Sequence, residues 1–88
     1  MSGGYWLFIN KAPDGRCNLC GRAVSRKRIE MRISQRELAD ILFDKGLNVD
    51  KNAIQRIESG KRFVTDIELT YLARALGLSL FELLDTES

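Results

Sequence analysis

The stretch from Asp50 to Gly60 reads DKNAIQRIESG. At about 3.6 residues per turn it puts Ala53, Ile54, Ile57 and Glu58 on one side of a helix and Lys51, Asn52, Gln55, Arg56 and Ser59 on the other. Asp50 stands where an N-cap belongs, Val49 and Ile54 can staple around it, and Gly60 supplies the left-handed residue that ends a helix. One face is built for packing. The other carries long side chains with several donors, of the kinds that meet base edges in a DNA major groove, Arg with guanine and Asn or Gln with adenine. A solvated structural helix also turns its charges outward, so composition leaves both readings open and the neighbouring segments must decide.

Outward from this stretch, the same punctuation recurs. Ile33-Ser34-Gln35-Arg36-Glu37-Leu38 holds a capping box, Ser34 with Glu37, inside a hydrophobic staple, Ile33 with Leu38. A helix starting there runs through Leu38, Ala39, Ile41 and Leu42 toward Lys45 and stops at Gly46. Val64-Thr65-Asp66-Ile67-Glu68-Leu69 repeats the box and staple, opening a helix with Leu69, Leu72, Ala73 and Leu76 on one face and its end at Gly77. Leu78-Ser79-Leu80-Phe81-Glu82-Leu83 repeats it again for a short helix to about Leu84. On the N-terminal side, GRAVSRKRIEM from Gly21 to Met31 has helix-forming composition, with Val24, Arg28 and Met31 on a common face. The expected fold is all-α, with five helices.

Length and composition bound the rest. With 88 residues, 44 % hydrophobic and 30 % charged, the chain is sized for one small domain with one core. Net charge is only +2, but residues 1–64 carry 13 of the 14 basic side chains and 7 of the 12 acidic ones. A basic front and an acidic back orient such a molecule toward a polyanion. No transmembrane run is present, and no basic segment precedes the apolar YWLFIN to make a signal peptide, so a cytoplasmic location is expected, with no membrane partner.

Residues 1–20 read as an N-terminal arm. YWLFI is an aromatic and β-branched run suited to a short strand, and Ala12-Pro13-Asp14-Gly15 reads as a turn. The favoured reading lays the arm over the core; pairing with its copy as an edge strand is the alternative. Cys17 and Cys20 form a CNLC pair, yet the chain has no His and no other Cys, so a tetrahedral zinc site would need two chains. A redox CxxC normally opens a helix in a βαβ setting, which is lacking. Reduced, structurally incidental thiols are expected, with no metal and no cofactor. Without His, and with carboxylates committed to caps, no acid–base or nucleophilic constellation is present, so no catalytic residue is assigned.

Several linked features resemble the Cro/C1-type helix-turn-helix domain of the XRE family. They are Arg28 in the first helix, Ser34-Gln35 with Leu38-Ala39, the run from Ile54 to Lys61, and Leu72-Ala73-Arg74-Ala75-Leu76-Gly77. The resemblance covers residues 21–84 and leaves 85–88 as a C-terminal tail. It implies a five-helix, lambda-repressor-like DNA-binding domain behind a short extended arm, with the third helix, about 50–59, in the major groove. It also implies that Lys51, Asn52, Gln55 and Arg56 face bases, and that Lys27, Gln35, Lys61 and Arg62 meet phosphates. Arg28 and Glu58, each charged on an inward face, are expected to form an ion pair tying the first helix to the third, as such domains commonly do. One departure stands out: DILFDKGLNVD is longer than the family's usual turn between the second and third helices, a lengthening shared by a subset of similar regulators.

The reading is therefore a sequence-specific double-stranded DNA-binding regulator, a repressor, on a palindromic operator, with a homodimer compatible. The alternative is an antitoxin or a protein-interaction adaptor on the same fold. An RNA binder would need an exposed aromatic platform, for which Tyr5, Trp6 and Phe8 in the arm are the only support.

Overall fold

A computed structural model describes residues 11–84. Five helices follow in order: α1 Gly21–Glu30, α2 Gln35–Asp44, α3 Lys51–Glu58, α4 Asp66–Leu76 and α5 Leu80–Leu84. No strand occurs among the described residues. The aromatic run expected to form a strand, with Tyr5, Trp6 and Phe8, lies outside them, as does the tail 85–88.

The helix starts follow from side-chain chemistry. In α2 the Glu37 backbone N–H donates to Ser34 Oγ at 3.0 Å, and the Ser34 N–H donates to Glu37 Oε1 at 2.7 Å. Thr65 with Glu68 and Ser79 with Glu82 do the same for α4 and α5. Asp50 Oδ1 accepts from the Ala53 N–H at 2.8 Å and caps α3. Each reciprocal pair satisfies two backbone donors that a helix start would otherwise leave open.

Packing then follows the apolar stripes. Val24 from α1, Leu38, Ala39 and Leu42 from α2, Ile54 and Ile57 from α3, Leu72, Ala73 and Leu76 from α4, and Leu83 from α5 form one buried cluster. The α2–α3 pair makes the most extensive contact, while α1 touches α3, α4 and α5. The connection 45–50 between α2 and α3 is anchored by Leu47 and Val49, both packed against the core. It leaves Ala53, Ile54 and Ile57 inward and the polar face of α3 outward.

Two features of α1 depart from the sequence reading. Met31, read as an inward residue, stands past the last turn as the C-cap and is 38 % exposed. The chain turns there because Arg32 takes a left-handed conformation at φ 61°, with its N–H donating to Ile29 O and the Ile33 N–H to Arg28 O. That is a Schellman termination built without glycine. Cys20 is the second departure. It stands at the N-cap position of α1 without a side-chain cap bond, is 1 % exposed and belongs to the core, so it is a packed residue rather than an incidental thiol. Burial pushes its pKa up to about 11, which keeps it protonated at neutral pH.

The left-handed Arg32 is a strained choice where glycine is unstrained. Arg32→Gly is therefore expected to stabilise the domain by about 0.5–1 kcal/mol, read as a rise in urea midpoint at unchanged slope.

Candidate nucleic-acid interface

The site is organised at the end of α3, around Glu58. Arg28 Nε donates to Glu58 Oε2 at 2.7 Å and Arg28 Nη2 to Oε1 at 3.1 Å, while Gln35 Nε2 donates to the same Oε1 at 3.0 Å. The third nitrogen of Arg28, Nη1, donates to Ile33 O at 2.8 Å. One carboxylate thus ties α3 to α1 and to the first turn of α2. Side-chain exposures of 14 % for Arg28 and 8 % for Glu58 place the pair out of bulk water. The hydrogen bonds to Glu58 raise the pKa of Arg28 above its ordinary value, so its charge is permanent.

With its inner face held, α3 turns Lys51, Asn52, Gln55 and Arg56 outward, all exposed. The chain leaves α3 through Gly60 at φ 78°, where the Gly60 N–H donates to Ile57 O and the Lys61 N–H to Arg56 O. Lys61 follows, exposed, on the loop beyond the helix. Among the described residues, none of Lys51, Arg56 and Lys61 is in a salt bridge.

The cations expected at phosphates are not alike. Arg62 is engaged by Glu68, with Nη1 donating to Oε1 at 3.0 Å and Nη2 to Oε2 at 2.9 Å, and it also donates to Phe63 O. This fork pins the loop after α3 to the cap of α4. Lys27 pairs with Glu30 at 2.8 Å and lines a groove with Leu78 and Glu82, between α1 and α5. No residue of α2 or α3 lines that groove. Gln35 sits at the start of α2 with its amide committed to Glu58.

Arg36 was assigned no role from the sequence. It is exposed in the first turn of α2 and lines a cleft with Asp40, Phe43, Asp50, Lys51 and Asn52, beside the outer face of α3. Position in the first helical turn was the available signal, but the chain path of 45–50, which brings Lys51 alongside, cannot be read from local sequence. Arg16 and Asn18, placed in the arm by the sequence reading, hydrogen-bond the end of α3. Asn18 had no sequence signal beyond lying ahead of a helix.

Among the described residues, no group of three or more His, Cys, Asp or Glu side chains could hold a metal ion, and no helix is long and apolar enough to cross a membrane.

α2 and α3 are a tightly packed pair of helices, the second held by its inner face and bearing an exposed polar outer face, and the family match makes this pair the helix-turn-helix of a DNA-binding regulator. The family model for the Cro/C1-type helix-turn-helix matches residues 24–83, and the chain belongs to that family, the XRE regulators. The family is regulatory rather than catalytic. A comparison with curated proteins gives no match.

Two measurements check this framework. Arg28→Met and Glu58→Leu should each destabilise the domain by about 3–5 kcal/mol, because each leaves a buried charge unpaired, whereas the double variant should lose much less. Denaturant melts of the three give the coupling directly. Glu68, hydrogen-bonded by Arg62 and by Thr65, has its pKa held below its ordinary value near 4.5. A depressed folded-state pKa contributes stability that is present above that ordinary value and lost as pH falls through the depressed one. Stability measured from pH 6 down to about pH 3 should therefore fall less steeply for Glu68→Gln than for the parent chain.

Proposed function

We propose that this chain is a sequence-specific double-stranded DNA-binding repressor, acting in the cytoplasm with α3 in the major groove of a palindromic operator. The carrying observation is the contrast between the two sides of α3. Its inner carboxylate is held by Arg28 and Gln35, and its outer face presents Lys51, Asn52, Gln55 and Arg56, with neither cation in a salt bridge among the described residues. Fixed donors suit base readout, because a side chain can discriminate bases only if its backbone sits at a defined depth and register. Two copies on the half-sites of a palindrome would place two such helices one turn of DNA apart. Repression then needs nothing beyond occupancy of the operator.

Among the cations, Lys61 is the best phosphate contact, being exposed and without a carboxylate partner. Gln35 reaches the backbone only from its place in the Glu58 network. For Arg62 to meet a phosphate it would have to leave a two-bond pair with Glu68, so its part is to shape the loop that carries Lys61. Lys27 would act from the α1 side, as a long-range positive charge.

Selection from a random duplex library should enrich a palindromic site. On that site, Arg56→Ala and Asn52→Ala should each cost about 1–3 kcal/mol and relax preference at one position per half-site. Lys61→Ala should weaken selected and random duplexes alike and reduce the salt slope by about one unit. Absence of enrichment, or an Arg56→Ala loss equal on every sequence, refutes the reading.

A further inference from the structure

Four carbonyls at and after the end of α3 receive hydrogen bonds from residues 16–18, ahead of the matched residues 24–83. Arg16 Nη2 donates to Glu58 O at 2.7 Å. Asn18 Nδ2 donates to Ile57 O at 3.0 Å and to Arg62 O at 2.8 Å. The Cys17 N–H donates to Gly60 O at 2.7 Å. A helix ends with carbonyls that its own backbone cannot satisfy; Arg16 fills Glu58 O, and Ile57 O, which already accepts from the Gly60 N–H, gains a second donor in Asn18. A guanidinium at that end also complements the helix dipole.

The segment is itself fixed. Asn18 is buried and its Oδ1 accepts from the Gly21 N–H at 2.7 Å, so one side chain joins the start of α1 to both sides of the turn after α3. The Ala12 N–H donates to Arg16 O, closing the loop behind Arg16. The fit is close at two glycines. A Cβ at Gly21 would run into Ile57 O, and one at Gly60 would come within 2.7 Å of Arg16 Cζ. At Gly21 the close neighbour is backbone, and at Gly60 it is the Arg16 side chain.

We infer that residues 16–20 are a clamp that sets the orientation of α3, with Arg16 and Asn18 as positioning residues for DNA reading. The Glu58 carboxylate holds α3 from its side-chain face, toward α1 and α2, and the clamp holds it from its terminal carbonyls. Together they fix tilt as well as depth. The same hydrogen bonds reach Gly60 and Arg62 on either side of Lys61, so the clamp also sets where the phosphate contact stands relative to the reading face. Neither Arg16 nor Asn18 needs to touch DNA.

This inference rests on the proposed reading by α3, and its test separates the two. Asn18→Ala, Arg16→Met and Arg16→Lys are made in the full chain and assayed well below their melting temperatures, with folding checked by circular dichroism. Affinity is measured for the selected duplex and for a random-sequence duplex. The expected result is a fall in the ratio of selected to random affinity of about tenfold for Asn18→Ala and about threefold for Arg16→Met, with the parent ratio regained in Arg16→Lys and the salt slope unchanged. A purely structural role would lower melting temperature and leave that ratio intact, and this outcome overturns the clamp. Equal loss on both duplexes overturns it as well. If Asn18→Ala does not fold, the Arg16 pair decides alone. If the parent chain itself prefers no sequence, α3 reading fails, and hydrogen exchange at the Gly60 and Lys61 amides judges the clamp by itself. Exchange about tenfold faster in Arg16→Met, reversed in Arg16→Lys, supports it; exchange unchanged from the parent overturns it.

Discussion

The shared carboxylate of Glu58 is the constraint on which the arrangement depends. It accepts from Arg28 on α1 and from Gln35 on α2, while the backbone carbonyl of the same residue accepts from Arg16. An isolated helix of eight residues is not stable in water, since the cost of nucleating it is recovered only over a longer run. α3 therefore owes its existence to what it packs against. Ala53, Ile54 and Ile57 supply the apolar part of that packing, but apolar contacts alone allow a short helix to roll. A buried carboxylate with three donors does not, because any rotation leaves a charge without partners in a poorly solvated place.

This arrangement sorts the cations by partner. Arg28 and Arg62 have forked pairs with carboxylates whose side chains are largely covered, and they hold helices and loops together. Lys27 and Arg22 have exposed pairs, which contribute little to stability. Lys51, Arg56 and Lys61 have none among the described residues, and they stand on the outer face of α3 or just beyond its end. A cation already neutralised by a neighbour must break that pair to bind a phosphate or base. The exposed unpaired ones carry no such cost; Arg26, Arg36, Lys45 and Arg74 share that condition on other elements, so pairing separates the structural cations from the available ones without singling out one face.

The path between α2 and α3 has its own consequence. With Leu47 and Val49 packed inward, the connection brings Lys51 and Asn52 alongside Arg36 and Phe43, so the start of α3 and the first turn of α2 share one cleft. Asp40 and Asp50 line the same cleft, so Arg36 and Lys51 stand there in a mixed-charge setting beside the outer face of α3. At the other end of α3, residues 16–18 close over the terminal carbonyls, so α3 is bounded by its local Asp50 cap at the start and by tertiary contacts at its end and along its inner side.

Five helices, their starts and most of their core faces were legible in the sequence, because capping boxes, staples and helical periodicity act over three to five residues and leave a local imprint. Ser34 with Glu37, Thr65 with Glu68 and Ser79 with Glu82 need no distant partner, and Leu72, Ala73 and Leu76 need only a common face. The need for a partner at Arg28 was equally local, since an inward charge is visible from periodicity alone. The arm, Met31 and the surroundings of Lys27, Gln35 and Arg62 were decided elsewhere. Nothing near Arg62 in the sequence says that Glu68 takes its guanidinium rather than leaving it for a ligand. Nothing near Gln35 says that its amide turns toward α3, and nothing near Asn18 says that it will bridge carbonyls 39 and 44 residues away. Such contacts depend on where helices cross, and crossing is set by the packing of the whole core. The sequence by itself determined which segments are helical and which faces are polar; only the tertiary structure decided which polar groups hold the protein together and which stay exposed without a partner.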